Sequence, residues 1–290
     1  MTDDIARFEA VTAGYGGRPV LDGFDLRLRR GAVYALLARN GEGKTTAVRC
    51  LLGLEPVAAG RVSLFGLDPW SERTRALARV AYVPEEPDAL PGLTAPRLGR
   101  TVAGLMPRWE AAIYSAQLDR AGVPRDVPFA RLSRGQKAHV ELALALASRP
   151  DFLVLDDPTL GLDHVARRAF YGELIHELVE RGVTVFITSH DIAAIEKIAT
   201  HVGVLRRGKL ALDMEIEALK AGFRRVRFGK HVPMPARPLR VESGLWGVEA
   251  VLGDYQPAEL ESWRQKTGAE VAPMSLEEIF VAVADDKEVA

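Results

Sequence analysis

The sequence predicts an α/β fold. It has a mainly parallel sheet with helices on both faces, preceded by an antiparallel β pair, interrupted by a helical insertion and followed by a small α+β appendage. Three observations carry this. Short apolar runs at Ala32–Leu37, Phe152–Leu155 and Val183–Thr188 have the length of buried strands. A stretch of helical spacing follows each run, and strands alternating with helices argue for a largely parallel sheet. Past about Ala221 the texture changes to basic–apolar alternation and then proline, which marks a separate unit.

In chain order, Ile5–Ala13 reads as a strand, Gly14-Tyr15-Gly16-Gly17 as a turn and Val20–Leu28 as the returning strand of an antiparallel pair. Ala32–Leu37 leads into a loop, and Thr46–Leu52 is helical until Gly53 stops it. Gly60–Phe65 is a short strand closed by Gly66, and Ser71–Arg79 a helix with Ser71 as its cap. Val80–Val83 is a strand broken by Pro84, and Glu85-Glu86-Pro87-Asp88 an acidic loop. Thr94–Ala121 has one helical pattern, with Trp109, Ile113 and Ala116 on one face; Gly122, Pro124 and Pro128 end it. This segment is the helical insertion. Ala138–Ser148 is a helix opened by Arg131–Lys137, and Asp163–Arg181 a long amphipathic one stopped by Gly182. A helix to Ala199, a strand over His201–Leu205 and a turn at Gly208 complete the core. In the appendage, Leu239–Val241 and Trp246–Leu252 read as strands and Ala258–Lys266 as a helix. Ser275–Val283 is a last helix, with Ser275 and Glu278 forming a capping box.

The 290 residues are 48% hydrophobic and 27% charged, which suits a large globular domain plus a small one. With 38 basic and 39 acidic residues the net charge is −1, so no nucleic-acid partner is expected from bulk electrostatics. Cys50 is the only cysteine, which excludes an intrachain disulfide and argues against a metal cluster; its place on the apolar side of a helix predicts core packing. The acidic start Met1-Thr2-Asp3-Asp4 lacks the apolar run of a signal peptide. No run approaches the roughly 18 apolar residues of a membrane span. The expectation is a cytoplasmic protein whose membrane work, if any, needs another chain to do the spanning.

The chemistry concentrates in Ala38–Thr46, read ARNGEGKTT between a strand and a helix. Such a loop cradles phosphate. Backbone N–H groups point inward, the helix N-terminus adds partial positive charge, Lys44 reaches the outer phosphates, and Thr45 offers a hydroxyl to Mg²⁺. Gly41 and Gly43 let the backbone approach the phosphate oxygens. Ala38 stands where the usual pattern has glycine, which is harmless at negative φ and costs roughly 1 kcal/mol at positive φ; negative φ is expected. Asp156, at the end of an apolar strand, would hold Mg²⁺ through its water shell opposite Thr45, and Asp157 is placed as a general base or water-orienting carboxylate. His190 ends a third strand of the same sheet edge and is a candidate γ-phosphate contact. Leu132-Ser133-Arg134-Gly135-Gln136 opens a helix and is either an anion site or simply a cap.

These stretches in this order resemble the nucleotide-binding subunit of an ATP-binding cassette (ABC) transporter over roughly residues 5–215. Ala38–Thr46, with Asn40, Gly41, Glu42, Gly43, Lys44, Thr45 and Thr46, matches the phosphate loop. Glu85 stands at the coupling-loop position, where the family mostly has Gln. Leu132–Gln136 matches the signature motif, with Arg134 for its first glycine. Leu155-Asp156-Asp157-Pro158-Thr159 matches the second nucleotide motif, Gly161-Leu162-Asp163 the dimer loop and His190 the switch histidine. Tyr15 resembles the aromatic that stacks on adenine, and Met274–Phe280 the tail of exporter-type subunits encoded apart from their membrane partner. The resemblance implies a P-loop NTPase core. Residues 1–220 would form the ATP-binding domain, with a helical subdomain at about 93–148, and 221–290 a small α+β domain. It implies Mg²⁺ at Thr45, Asp156 and Glu85, and ATP held by Lys44, Thr45 and Asp156 of one chain and by Ser133 and Gly135 of a second. Gln136 and Asp163 would be further nucleotide-binding residues, and Lys44, Glu85, Asp157 and His190 would have catalytic roles. It also implies a permease partner and a peripheral place on the cytoplasmic face of the membrane.

Asp157 departs from the family's Glu. One methylene sets a carboxylate back by roughly 1 Å, and that displacement can cost on the order of 100-fold in rate, so the expectation is an ATPase that is slow unless the loop advances. Two alternatives stay open on the sequence: a non-hydrolysing regulatory subunit, and a cassette protein acting on ribosomes or DNA without a membrane partner.

Overall fold

A computed structural model of the chain describes residues 4–87, 89–234, 237–245, 247–253 and 255–284, without the side chains of 177–180. Met1-Thr2-Asp3, Asp88, Trp246 and part of the proline-rich stretch lie outside the described residues. In order, the elements are β1 (Asp4–Tyr15), β2 (Arg18–Arg29), β3 (Val33–Ala38), α1 (Lys44–Leu51), β4 (Ala59–Leu64), α2 (Arg73–Ala76) and β5 (Val80–Val83). Then come α3 (Ala95–Ala103), α4 (Ala111–Arg120), α5 (Arg134–Ala147), β6 (Phe152–Asp156), α6 (His164–Arg181), β7 (Thr184–Thr188), α7 (Ile192–Ile198) and β8 (His201–Arg206). The chain continues through β9 (Lys209–Glu215), α8 (Ile216–Gly222), β10 (Arg224–Phe228), β11 (Arg240–Gly244), β12 (Gly247–Leu252), α9 (Pro257–Thr267), β13 (Glu270–Pro273) and α10 (Leu276–Ala284).

The main sheet runs β5-β6-β7-β3-β8-β9, parallel except for the antiparallel edge strand β9. Every residue of β3, β6 and β7 is buried, as a sheet covered on both faces requires. Alternation along these strands decides which core each side chain enters. Val33, Ala35, Leu37, Leu153 and Leu155 point to a core shared with α5, α6, α7 and α10. Tyr34, Leu36, Ala38, Phe152 and Val154 point to one shared with α1 and the antiparallel sheet β2-β1-β4. Cys50 packs in the second core, and burial pushes its thiol up to about 12.

The helical insertion has its own core, built from Leu98, Tyr114, Leu118, Phe129 and the Val140–Ala143 side of α5. The single helix expected over Thr94–Ala121 is two, α3 and α4, separated by a turn through Leu105-Met106-Pro107. Pro107 has no N–H for a helical bond and disfavours helix in the residue before it. Trp109 therefore lies outside a helix, tilted against Tyr114 with ring centroids 5.2 Å apart. Ser71 is not a cap: its hydroxyl donates to Asp68 at 2.8 Å, and α2 starts at Arg73. Tyr15 is not in the turn but ends β1, paired with Arg18 across Gly16-Gly17.

The last strands form an antiparallel sheet, β11-β12-β10-β13. One face packs on α9, where Phe228 meets Trp263 edge-on at 5.3 Å. The other sends Val251 and Met274 toward α10, which in turn packs on α7 and β8 of the main core. The capping box at the start of α10 is complete: Glu278 N–H donates to Ser275 Oγ at 3.3 Å, and Ser275 N–H to Glu278 Oε2 at 2.8 Å. Among the described residues no helix is long and apolar enough to cross a membrane.

Candidate functional site

Three adjacent parallel strands bring the candidate side chains together. Leu36 of β3 pairs with Thr188 of β7, and Thr188 with Asp156 of β6, so the three strands end in a row. Open α/β sheets bind ligands at this carboxyl edge. A cleft of about 680 Å³ lies there, lined by Tyr15, Asn40, Gly41, Gly43, Lys44, Thr45, Thr46, Glu85, Asp156, Asp157 and His190. Val20, Arg39 and Leu160 complete its wall; sequence reasoning did not select them.

The loop between β3 and α1 turns on two glycines, Gly41 at φ 82° and Gly43 at φ 110°. A β-carbon on Gly43 would come within 2.8 Å of Val20. Ala38 ends β3 in extended backbone, with no positive φ. Lys44 opens α1 and folds back, donating from Nζ to Ala38 O at 2.8 Å. Burial lowers its pKa, while the charges of Asp157, Asp156, Glu85 and Glu42 oppose that shift. Glu42 is the one loop side chain that leaves the cleft: its carboxylate accepts from Arg207 N–H at 2.5 Å.

Asp156 is 2% exposed and its carboxyl is pushed up by burial, although hydroxyl bonds from Thr188 and Thr45 and the charge of Lys44 pull it down. Thr188 Oγ donates to Asp156 Oδ1 at 2.6 Å and accepts from Asp157 N–H at 3.0 Å, so one hydroxyl fixes both acids. Sequence reasoning missed Thr188; a polar residue ending an otherwise apolar strand was the available signal. Asp157 has φ 45°, a left-handed conformation that Asp tolerates better than most residues because its short side chain bonds locally. Its Oδ2 lies 2.8 Å from His190 Nε2, and its Oδ1 accepts from His190 N–H at 3.4 Å. Burial raises the Asp157 carboxyl, and His190 and Lys44 moderate the rise. Glu85 is half-buried on the cleft wall.

Ser133, Gly135, Gln136 and Asp163 lie outside this cleft in the single chain. Ser133 caps α5 in a reciprocal box, accepting from Gln136 N–H at 3.2 Å while Gln136 Oε1 accepts from Ser133 N–H at 3.0 Å. Gly135 sits tightly against Ala166, and Asp163 caps the start of α6 by accepting from Ala166 N–H at 2.8 Å. Tyr15 is about half exposed at the cleft mouth, beside Arg49.

The donors at the floor suit a hard divalent cation: a threonine hydroxyl and carboxylates, with no sulfur or imidazole needed. Among the described residues no cluster of three His, Cys, Asp or Glu could hold a metal alone. The set therefore fits an ion that takes most of its ligands from phosphate and water, as Mg²⁺ does.

Residues 21–160 match the family described as ABC transporter. The chain is 32% identical over 219 residues to the bacitracin transport ATP-binding protein BcrA of Bacillus licheniformis, covering 74% of this chain and 71% of that protein. It is 35% identical over 233 residues to Nod factor export ATP-binding protein I of Paraburkholderia xenovorans (strain LB400), covering 76% of this chain and 74% of that protein. Among solved structures, cbiO1 from Clostridium perfringens, part of the ABC transporter complex cbiONQ, superposes with a TM-score of 0.65 at 26% identity. That match covers 76% of this chain and 91% of cbiO1.

Proposed function

The chain belongs to the ABC transporter family as an ATP-binding subunit, and from that premise we propose that it binds Mg·ATP in the cleft around Lys44, hydrolyses it and drives a membrane permease in the direction of export. The observation that carries this is the convergence of Lys44, Thr45, Asp156, Asp157 and His190 on one cleft at the ends of β3, β6 and β7. Export is supported by the relatives named for bacitracin transport and for Nod factor export. Residues 1–220 are the ATP-binding domain in this reading and 221–290 a small α+β domain, and the chain sits peripherally on the cytoplasmic face beside its permease.

The triphosphate enters along the backbone N–H groups of Asn40–Thr46. Lys44 exchanges its bond to Ala38 O for the β- and γ-phosphates, a move favoured because its buried ammonium has no anionic partner at bonding distance among the described residues. Tyr15 stacks on the base. Thr45, Asp156 and Glu85 would hold Mg²⁺, which neutralises phosphate charge when bound. Asp157 orients water in line with the γ-phosphorus and takes its proton. The bond to the bridging oxygen breaks, and ADP and phosphate leave. His190 holds the Asp157 carboxylate in place. Ser133, Gly135, Gln136 and Asp163 of a second ATP-binding subunit close over the nucleotide, and closure and reopening move the permease. The short Asp157 makes hydrolysis slow for the family.

The test is titration of the purified chain with Mg·ATP together with phosphate release. Saturable binding and a turnover lost in Lys44→Ala are expected. Absence of saturable binding overturns the reading. Failure to co-purify with an integral membrane protein would overturn the permease partner alone.

A further inference from the structure

Arg134 stands at the start of α5, where the signature motif it resembles has glycine; the residue is exposed, yet one face of its guanidinium rests on the turn at Gly161. It lies flat across the backbone of Gly161, so that a β-carbon built on Gly161 would sit 2.9 Å from Cζ and 3.0 Å from both Nε and Nη1. Gly161 is at φ 72°, which leaves that face of the backbone bare. Arg134 makes no hydrogen bond or ion pair among the described residues, and the first turn of α5 holds no acid. A cation there opposes the positive end of the helix dipole, so local electrostatics do not explain its placement. Packing on Gly161 does.

Gly161 lies in the turn that leaves Asp157. Leu160 N–H donates to Asp157 O at 3.1 Å and Leu162 N–H to Thr159 O at 3.1 Å, so the turn is a short bonded unit whose first residue carries the candidate base. Beside it, Gly135 packs on Ala166 in the first turn of α6. The start of α5 thus packs on the middle of the turn at Gly161 and on the first turn of α6 at Ala166, while the turn's own bonds run back to Asp157.

We infer that Arg134 is a positioning residue for Asp157: its guanidinium, packed on Gly161, sets how far the turn carries the Asp157 carboxylate into the nucleotide cleft. The inference deepens the proposed ATPase reading and rests on it. It gives the chain a means of placing a short carboxylate. It also links the face of α5 that meets the second subunit's nucleotide to the base of its own chain, so closure at one site is felt at the other.

The experiment compares Arg134→Ala, Arg134→Lys, Gly161→Ala and the Arg134→Ala/Gly161→Ala double variant in the full chain, with steady-state ATPase activity and Mg·ATP affinity measured separately. Arg134 is exposed, and a thermal melt of each variant reports whether it has folded. Arg134→Ala is expected to lower kcat at least tenfold, because displacements of about 1 Å cost up to about 100-fold, with ATP affinity within twofold. Arg134→Lys keeps the charge but not the planar face and is expected to fail to rescue. Gly161→Ala is expected to lower kcat, and less so once Arg134 is already Ala, because the clash between them is gone. An unchanged kcat in Arg134→Ala, full rescue by Lys, or additivity in the double variant would overturn the inference while leaving the ATPase reading standing. No saturable Mg·ATP binding by the unsubstituted chain would overturn both.

Discussion

Asp157 Oδ2 and His190 Nε2 meet at 2.8 Å across the ends of β6 and β7, and the backbone N–H of His190 turns back to the same carboxylate. The carboxylate is almost wholly buried whereas the imidazole is partly open to the cleft. The pair therefore has an inner member held by the fold and an outer member that a nucleotide can reach. A buried carboxylate without a partner would be costly to ionise. His190 is what keeps Asp157 available as an anion.

From this pairing follows the behaviour of His190→Ala. Burial lifts the Asp157 carboxyl above its ordinary 3.8, and His190 is the first of the groups that pull it down. An acid with a raised pKa holds its proton to higher pH, so kcat declines as pH falls through that raised value. Removing His190 raises it further. His190→Ala is expected to lower kcat about 100-fold at neutral pH, within the range for acid–base and positioning groups, and to move the acid limb of the kcat profile to higher pH. A profile that falls in height without moving its limb would contradict the pairing.

Asp157 itself can be tested in two directions. Asp157→Asn keeps the shape and the left-handed backbone but cannot take a proton, and a loss of 10²–10⁴ in kcat is expected, with Mg·ATP binding retained. Asp157→Glu adds the reach that Asp lacks and is expected to raise kcat, against a modest loss of stability because Glu tolerates φ 45° less well than Asp. Phosphate release and nucleotide titration on the same preparations separate turnover from binding.

Thr188 Oγ donates to Asp156, while Asp157 N–H is shared between Thr188 Oγ and Thr188 O, so Thr188→Val keeps the shape and the backbone acceptor but takes a donor from the buried Asp156 carboxylate. A buried group left unsatisfied costs about 1–3 kcal/mol. Thr188→Val is expected to lower the thermal midpoint by several degrees, with a loss of Mg·ATP affinity. A stability equal to that of the unsubstituted chain would show that the bond to Asp156 does not matter in the fold.

The doubly buried strands were readable because β3, β6 and β7 are buried throughout and carry apolar runs bounded by turns, with polar residues only at the ends of β6 and β7, so no partner needed to be known. β9 was not. Lys209–Glu215 alternates half-buried and exposed residues, as an edge strand does, and its pairing with β8 depends on contacts the sequence does not show. β13 is only four residues of an edge strand, too short for a pattern. At the site, Lys44, Asp156, Asp157 and His190 could be named because each follows a strand. The hydroxyl relay Thr159–Tyr171–Ser189, with oxygens 3.4 and 3.3 Å apart, joins three segments distant in sequence and left no local trace. The same holds for Arg134 on Gly161.

Lys44 provides the last test, because its charge can be followed without turnover. Lys44 is buried, 8% exposed as a residue, its ammonium bonds to Ala38 O, and burial sets its pKa below 10.5. Between that lowered value and 10.5 the unfolded chain binds the proton more than the folded chain does, so Lys44 makes stability rise with pH across this window. Phosphate beside Lys44 would favour its charged form and flatten that rise. Lys44→Ala is expected to abolish the ATP-induced gain in thermal midpoint, which at 100 times the dissociation constant amounts to about 2.7 kcal/mol, or several degrees for a chain of this size. It is also expected to steepen the alkaline fall of the unliganded thermal midpoint. Cys50, Tyr34, Tyr82, Tyr114 and Tyr171 produce that fall, since burial raises all five, and Lys44 alone among these groups opposes it. A full ATP-induced gain in Lys44→Ala would mean that the triphosphate is held elsewhere. An alkaline fall of unchanged steepness would mean that the fold does not perturb the Lys44 ammonium.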